Sequence, residues 1–238
     1  MNCWREGRGN PAEKPTQKSK GRETGSRTGN EKAGTEKNGN AAHQGKLPGI
    51  KGTWNMRFEK RKFQLKDGRN CVLRPAAPED AAEMVDFLKQ VSGESPFLLK
   101  YPEEWTLSED KERELLQNLL DDEKDVMMVA EVDGTLAGNC SLNGLGGGRK
   151  VSHRCSLAIA LKKAYWNLGI GRNMVEYLAE LARWAGYGQI ELEVVADNDS
   201  ARALYAKCGF TEMGKYDRGM KYDDGSYRDL ILMGKRLG

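Results

Sequence analysis

Apolar residues recur along this chain at two periods, and the switches between them mark the elements. Residues 63–73 alternate apolar and polar around Lys66-Asp67-Gly68-Arg69, which predicts a hairpin. Arg74-Pro75 ends it, and Pro78-Glu79-Asp80 opens a helix with proline and acid in its first turn. Met84, Val85 and Leu88 mark that helix's buried face, and Ser95-Pro96 breaks it. Ser108-Glu109-Asp110-Lys111 begins a second helix with a stripe of Leu115, Leu116, Leu119 and Leu120. Residues 126–132 read as a strand, Asp133-Gly134 as a two-residue turn and 135–142 as the partner strand. A looser turn at 144–148 leads to a further strand over 151–161.

Beyond Leu161 the period changes through a Gly-x-Gly turn. Met174, Val175, Leu178, Leu181, Ala182 and Ala185 then fall on one helical face, and Gly186-Tyr187-Gly188 stops that helix. Residues 190–195 alternate as a strand, and Asp197-Asn198-Asp199-Ser200 caps a short helix running through Cys208. Residues 210–215 and 227–233 read as closing strands around a polar loop at 217–226. The predicted order, β-α-α-β-β-β-α-β-α-β-β, gives an α/β chain of the α+β type, with a mixed sheet and helices on both faces.

The Gly-x-Gly turn is where chemistry enters. Backbone N–H groups at a helix N-terminus have no intrahelical acceptor, and glycines clear side chains from their approach. Such a turn suits phosphate. Two phosphate-binding patterns fail here: Met174 stands where a dinucleotide fold needs its third glycine, and Arg172-Asn173 follow Gly171 where a P-loop needs Lys and Ser or Thr. Trp166-Asn167-Leu168-Gly169-Ile170-Gly171-Arg172 precedes a helix and a strand. Beyond them lie Val194, Ala196, Asn198, Ala201, Leu204, Tyr205, Lys207, Gly209 and Phe210. Together these motifs resemble the GNAT family, the Gcn5-related N-acetyltransferases, over about residues 63–236.

The resemblance implies a GNAT fold, a mostly antiparallel twisted sheet, and acetyl-CoA as cosubstrate with no metal. It implies that Trp166, Asn167, Leu168, Gly169, Ile170, Gly171 and Arg172 hold the CoA diphosphate, chiefly through backbone amides. Trp166 departs from the Gln or Arg usual in the family at that place, and Arg172 is either a phosphate contact or a solvated side chain. The pantetheine arm is expected along Leu157, Ile159 and Leu161, with Asn198 contacting it, capping the next helix, or both. Tyr205 matches the family's general acid, which protonates the departing thiolate; a packed tyrosine is the alternative. The base is open. Many members place a Glu on the strand before the glycine turn, and none lies between Cys155 and Leu161; Glu193 is the first candidate, with Glu131 and His153 behind it.

Charge divides the chain. Residues 1–57 hold 12 Lys and Arg against 5 Asp and Glu, which leaves 26 against 30 in the remainder. The first 55 residues are polar and glycine-rich and are expected to form a disordered basic leader, with Met56 as an alternative start and residues 56–238 as the acetyltransferase domain. A basic arm could meet nucleic acid, but the chain has no aromatic interleaving or nucleic-acid motif, so nucleic acid is not an expected partner. No apolar run is long enough for a membrane span, and there is no signal-like h-region. Five widely spaced cysteines and two histidines argue against a disulfide framework or a metal site and fit a reducing, cytoplasmic setting. The expected function is transfer of acetyl from acetyl-CoA to a primary amine of a small molecule, peptide or protein by direct attack. The alternative is a catalytically weak acyl-CoA-binding regulatory module. The acceptor is not legible, and a homodimer is left open.

Overall fold

The computed structural model describes residues 58–238, so the basic leader and the Met56 start lie outside the described residues. β1 (Arg61–Gln64) and β2 (Asn70–Pro75) form the expected hairpin, closed where Leu65 N–H donates to the Arg69 carbonyl at 2.7 Å. A 3-10 turn at Pro78–Asp80 leads into α1 (Ala81–Glu94), and α2 (Glu109–Asp121) follows, capped by the Ser108 hydroxyl. β3 (Val126–Val132) and β4 (Thr135–Gly144) meet at Asp133-Gly134, where both residues take positive φ, 51° and 78°, as a tight hairpin turn requires. Then come β5 (Arg154–Leu161), α3 (Ile170–Trp184), β6 (Gln189–Val195), α4 (Asp199–Lys207), β7 (Thr211–Lys221) and β8 (Tyr227–Arg236).

Among the described residues eight strands make one sheet, in the order β1-β2-β3-β4-β5-β6-β8-β7. Only β5 and β6 run parallel; every other neighbouring pair is antiparallel. This is the mixed sheet with helices on both faces that the pattern predicts. On one face α3 and α4 cover Met128, Leu142, Cys155, Ile190 and Leu192. On the other, α1 and α2 cover Met127, Val129 and Leu136 with Met84, Phe87, Leu88, Val91 and Leu116. Tyr177 on α3 ties down the start of the described chain: its hydroxyl donates to the Glu59 carbonyl at 2.6 Å, and Phe58 packs edge-on at 5.4 Å.

Three expectations need correction. β5 begins at Arg154, because residues 148–154 close a tight turn in which Arg154 N–H donates to the Val151 carbonyl. β7 runs to Lys221, so the first half of the predicted loop over 217–226 is strand, with the turn confined to 222–226. An edge strand with both faces in solvent carries no apolar period, so its polar sequence reads as loop. On α2, Glu112 and Leu116 are fully buried, while Leu115, Leu119 and Leu120 are only partly so. No helix among the described residues is long and apolar enough to cross a membrane.

Candidate functional site

β5 and β6 pair only at Arg154–Gln189, Cys155–Ile190 and Ser156–Glu191. β5 stays on β4 as far as Leu161, and β6 stays on β8 as far as Val195. From Leu157 and Leu192 onward the two strands therefore diverge, opening a gap in the middle of the sheet. Backbone groups on its facing edges lose their ladder partner, which an extended amide-bearing chain can replace. Strand alternation divides the gap by face: Leu157, Ile159 and Leu161 join the α3 side, whereas Ala160 joins the α1 side, with Ser156 and Ala158.

The glycine turn stands at the open end of β5. A 3-10 turn at Lys163–Tyr165 is followed by Trp166, then Asn167 with φ 63°, Leu168, and Gly169 with φ 96° as the residue preceding α3. The first main-chain bond into α3 runs from Asn173 N–H to the Gly169 carbonyl at 3.3 Å, so the Ile170, Gly171 and Arg172 amides precede the helical ladder. Trp166 has a structural task here: its indole N–H donates to the Leu161 carbonyl at 2.8 Å, holding the turn against the end of β5. The Arg172 guanidinium is exposed and paired with Glu176 at 2.8 Å, which raises its pKa further.

The two glycines differ. A side chain on Gly169 would meet nothing within 4 Å, but its left-handed φ is strained for any L-residue. A Cβ on buried Gly171 would stand 3.2 Å from Leu204 Cδ2 and 3.4 Å from Leu161 Cδ1. Gly171 thus lets α3, α4 and β5 approach one another, and the sequence-level reason for it, clearance for a ligand, holds better for Gly169.

Asn198 caps α4, its Oδ1 accepting the Ala201 N–H at 3.2 Å. Tyr205 lies about two helical turns further on, buried on the α3 side of the sheet with its ring 5.8 Å from that of Phe210. Glu193 sits in the part of β6 that has left β5 and is half-buried; alternation puts it on the face opposite Leu192 and Val194. The other two candidate bases are not brought to the gap. Glu131 lies on β3 and accepts from Arg74 Nε at 2.9 Å, in a cluster where Arg74 also grips both Asp80 oxygens. His153 precedes β5 at the closed end, where its carbonyl accepts the Gly188 N–H.

Two features escape the sequence reading. At the apex of the gap Glu191 is buried and held by Arg154 Nε and Nη2 at 2.5 and 2.7 Å, with Gln189 donating at 2.7 Å. The Arg154 hydrogen bond keeps the Glu191 carboxyl below the usual carboxylate range. Beside it runs a polar track: Asn143 Nδ2 donates to Ser141 Oγ at 3.0 Å, and Ser156 Oγ donates to the Asn143 carbonyl at 3.3 Å. Its signal was available, since Asn139, Ser141 and Asn143 recur at every second residue of an otherwise apolar strand.

The model of the acetyltransferase (GNAT) family matches residues 94–210. The GNAT-family acetyltransferase of Streptococcus pneumoniae is 31% identical, with a TM-score of 0.67 over 70% of this chain and 99% of that one. The chain belongs to the GNAT family. The fold of this GNAT protein also matches that of yncA from Salmonella typhimurium, solved with its cofactor acetyl-CoA, at 19% identity and a TM-score of 0.61 over 71% of this chain and 94% of that one. Among curated proteins, the N-alpha-acetyltransferase RimI of Mycobacterium tuberculosis is 36% identical over 85 residues, 36% of this chain and 51% of RimI. An uncharacterized protein of Mycobacterium leprae is 43% identical over 75 residues, 32% of this chain and 19% of that protein. The GNAT chain thus matches about half of one curated relative and a fifth of the other.

Proposed function

We propose that this GNAT protein transfers acetyl from acetyl-CoA to a primary amine by direct attack. The observation that carries the reading is the parting of β5 from β6 beyond Ser156 and Glu191, at the end of the sheet where the glycine turn stands. An extended ligand with a diphosphate at one end fits both features: amides at the α3 N-terminus for the anion, strand edges for the arm. Leu157, Ile159 and Leu161 would line the arm, and Asn198 and Trp166 would fix the segments that bound it. Acetyl-CoA supplies an activated acyl group whose carbonyl carbon bonds to the amine nitrogen as the C–S bond breaks.

The residues then have protons to manage. An amine arrives as an ammonium ion and must lose a proton before its lone pair can attack. Glu193, on the α1 side of the gap, is suited to attract that cation and to take the proton directly or through water. Tyr205, on the α3 side, would give its hydroxyl proton to the departing sulfur and recover one from solvent. A thiol-release screen of the full chain with acetyl-CoA and a panel of primary amines tests the reading. Release of CoA that depends on an amine, with the acetylated amine found by mass spectrometry, is expected. Tight acetyl-CoA binding with no amine-dependent release across the panel would favour the regulatory module instead.

A further inference from the structure

The gap ends on a rung that is fastened twice. The main chains of β5 and β6 pair there, Ser156 opposite Glu191, and side chains lace the same two strands together. Arg154 stands two residues before Ser156 on β5, so its side chain leaves the sheet on the same α1 side as those of Ser156 and Glu191. Arg154 Nε donates to Glu191 Oε1 and Nη2 to Oε2, and Gln189, opposite Arg154, donates its side-chain amide to Oε1 as well. The Glu191 side chain is only 8% exposed, so this is a desolvated ion pair on the Glu191 side. On the α3 side of the same rung, Cys155, Leu157, Ile190 and Leu192 are buried in the core. The apex therefore has a main-chain floor, an ion pair across its α1 side and packed apolar side chains on its α3 side.

We infer that the Arg154–Glu191 pair is the stop that sets the length of acyl group this protein takes from CoA: acetyl and propanoyl fit, and a hexanoyl chain does not. The inference rests on the acetyl-transfer reading, in which the diphosphate lies at the glycine turn and the arm follows the free edge of β5 inward. The thioester then arrives at the apex, with its acyl chain pointing onward at the Ser156–Glu191 rung. Each further methylene has three ways to go. Straight on, it meets paired main chain. Toward α3 it meets a filled core, where overpacking is costly. Toward α1 it lies over the ion pair. Apolar carbon laid there strips water from charged groups and returns no hydrogen bond in exchange. An acetyl group ends before it reaches the pair. The pair also holds β5 to β6 across the last rung, so the floor does not retreat when pushed.

Calorimetry on the full chain with CoA, acetyl-CoA, propanoyl-CoA and hexanoyl-CoA, with no amine present, tests the stop independently of the acceptor. The wild type is expected to bind acetyl-CoA and propanoyl-CoA within about fivefold of each other, and hexanoyl-CoA at least about tenfold more weakly than acetyl-CoA, the loss that overpacking brings. An Arg154→Ala/Glu191→Ala double variant removes both charges together, so neither is left buried alone. In it the ratio of the hexanoyl-CoA Kd to the acetyl-CoA Kd should fall by about tenfold, through tighter hexanoyl-CoA binding. An Arg154→Leu/Glu191→Val double variant, which shortens both side chains and keeps apolar packing, should move the ratio the same way and serves if the alanine pair does not fold. Melting temperatures identify the folded variants. A wild type that binds hexanoyl-CoA as tightly as acetyl-CoA, or a ratio unmoved in a folded double variant, overturns the stop and leaves acetyl transfer standing. Failure of CoA and all three thioesters to bind overturns the acetyl-transfer reading, and this inference with it.

Discussion

Tyr205 is held by its ring, packed beside Phe210 in the core under α3, so its hydroxyl can be removed with little loss of packing. If it protonates the departing thiolate, Tyr205→Phe should lower kcat by about 10²–10⁴ while acetyl-CoA affinity stays near normal, since that contribution is made in the transition state. Single-turnover kinetics with an amine found by screening, alongside calorimetry, makes the separation; near-normal turnover in a step limited by chemistry reduces Tyr205 to packing. At this scale the motif residues were legible and their reasons only partly so. Gly171 stood out as a glycine, but the nearness of Leu204 depends on how α4 folds back, which no local spacing encodes. Trp166 looked like a departure from the family, yet its indole holds the Leu161 carbonyl. The Glu191–Arg154 pair joins residues 37 positions apart across a parallel strand pair, and neither residue type in isolation signals it.

Elements with a strong period were read well, and those without one were not. α3 buries Met174, Val175, Leu178, Leu181 and Ala182 as its spacing predicts, because a wide apolar stripe leaves only one way to face the sheet. β7 is an exposed edge whose length is set by pairing to β8 and not by its own pattern. α2 misled for a different reason: its most buried positions include a glutamate. Among the described residues neither Glu112 oxygen has a hydrogen-bond partner, and burial pushes this carboxyl from 4.5 up to about 7. Between those two values the folded state holds more proton than the unfolded chain. Stability should therefore fall as pH rises across that window, with the full penalty above about pH 7 and a size on the order of 1–3 kcal/mol. Thermal melts from about pH 5 to pH 8 should show a steeper decline for the wild type than for Glu112→Gln. Parallel declines would mean that the carboxyl is solvated or paired in solution.

The whole molecule was legible in order and layering, because alternating short and long periods on a chain of this length leave few ways to stack helices on a mixed sheet. What could not be read was the gap. It depends on where β5 stops pairing with β6, a register between strands more than thirty residues apart, and on hydrogen bonds between the α1–α2 loop and the β7–β8 turn across 122 and 126 residues. Those long-range features turn a fold shared by many relatives into a particular site. The central claim is that acetyl-CoA occupies this gap with its diphosphate on the α3 N-terminus. Hydrogen–deuterium exchange on the 238-residue protein, with and without saturating acetyl-CoA, tests it without altering a residue. Slower exchange is expected over residues 157–172, where the free edge of β5 runs into the glycine turn, and over 192–195 on the facing edge of β6. Acetyl-CoA that binds while those segments exchange as before, and another segment is protected instead, would contradict the account.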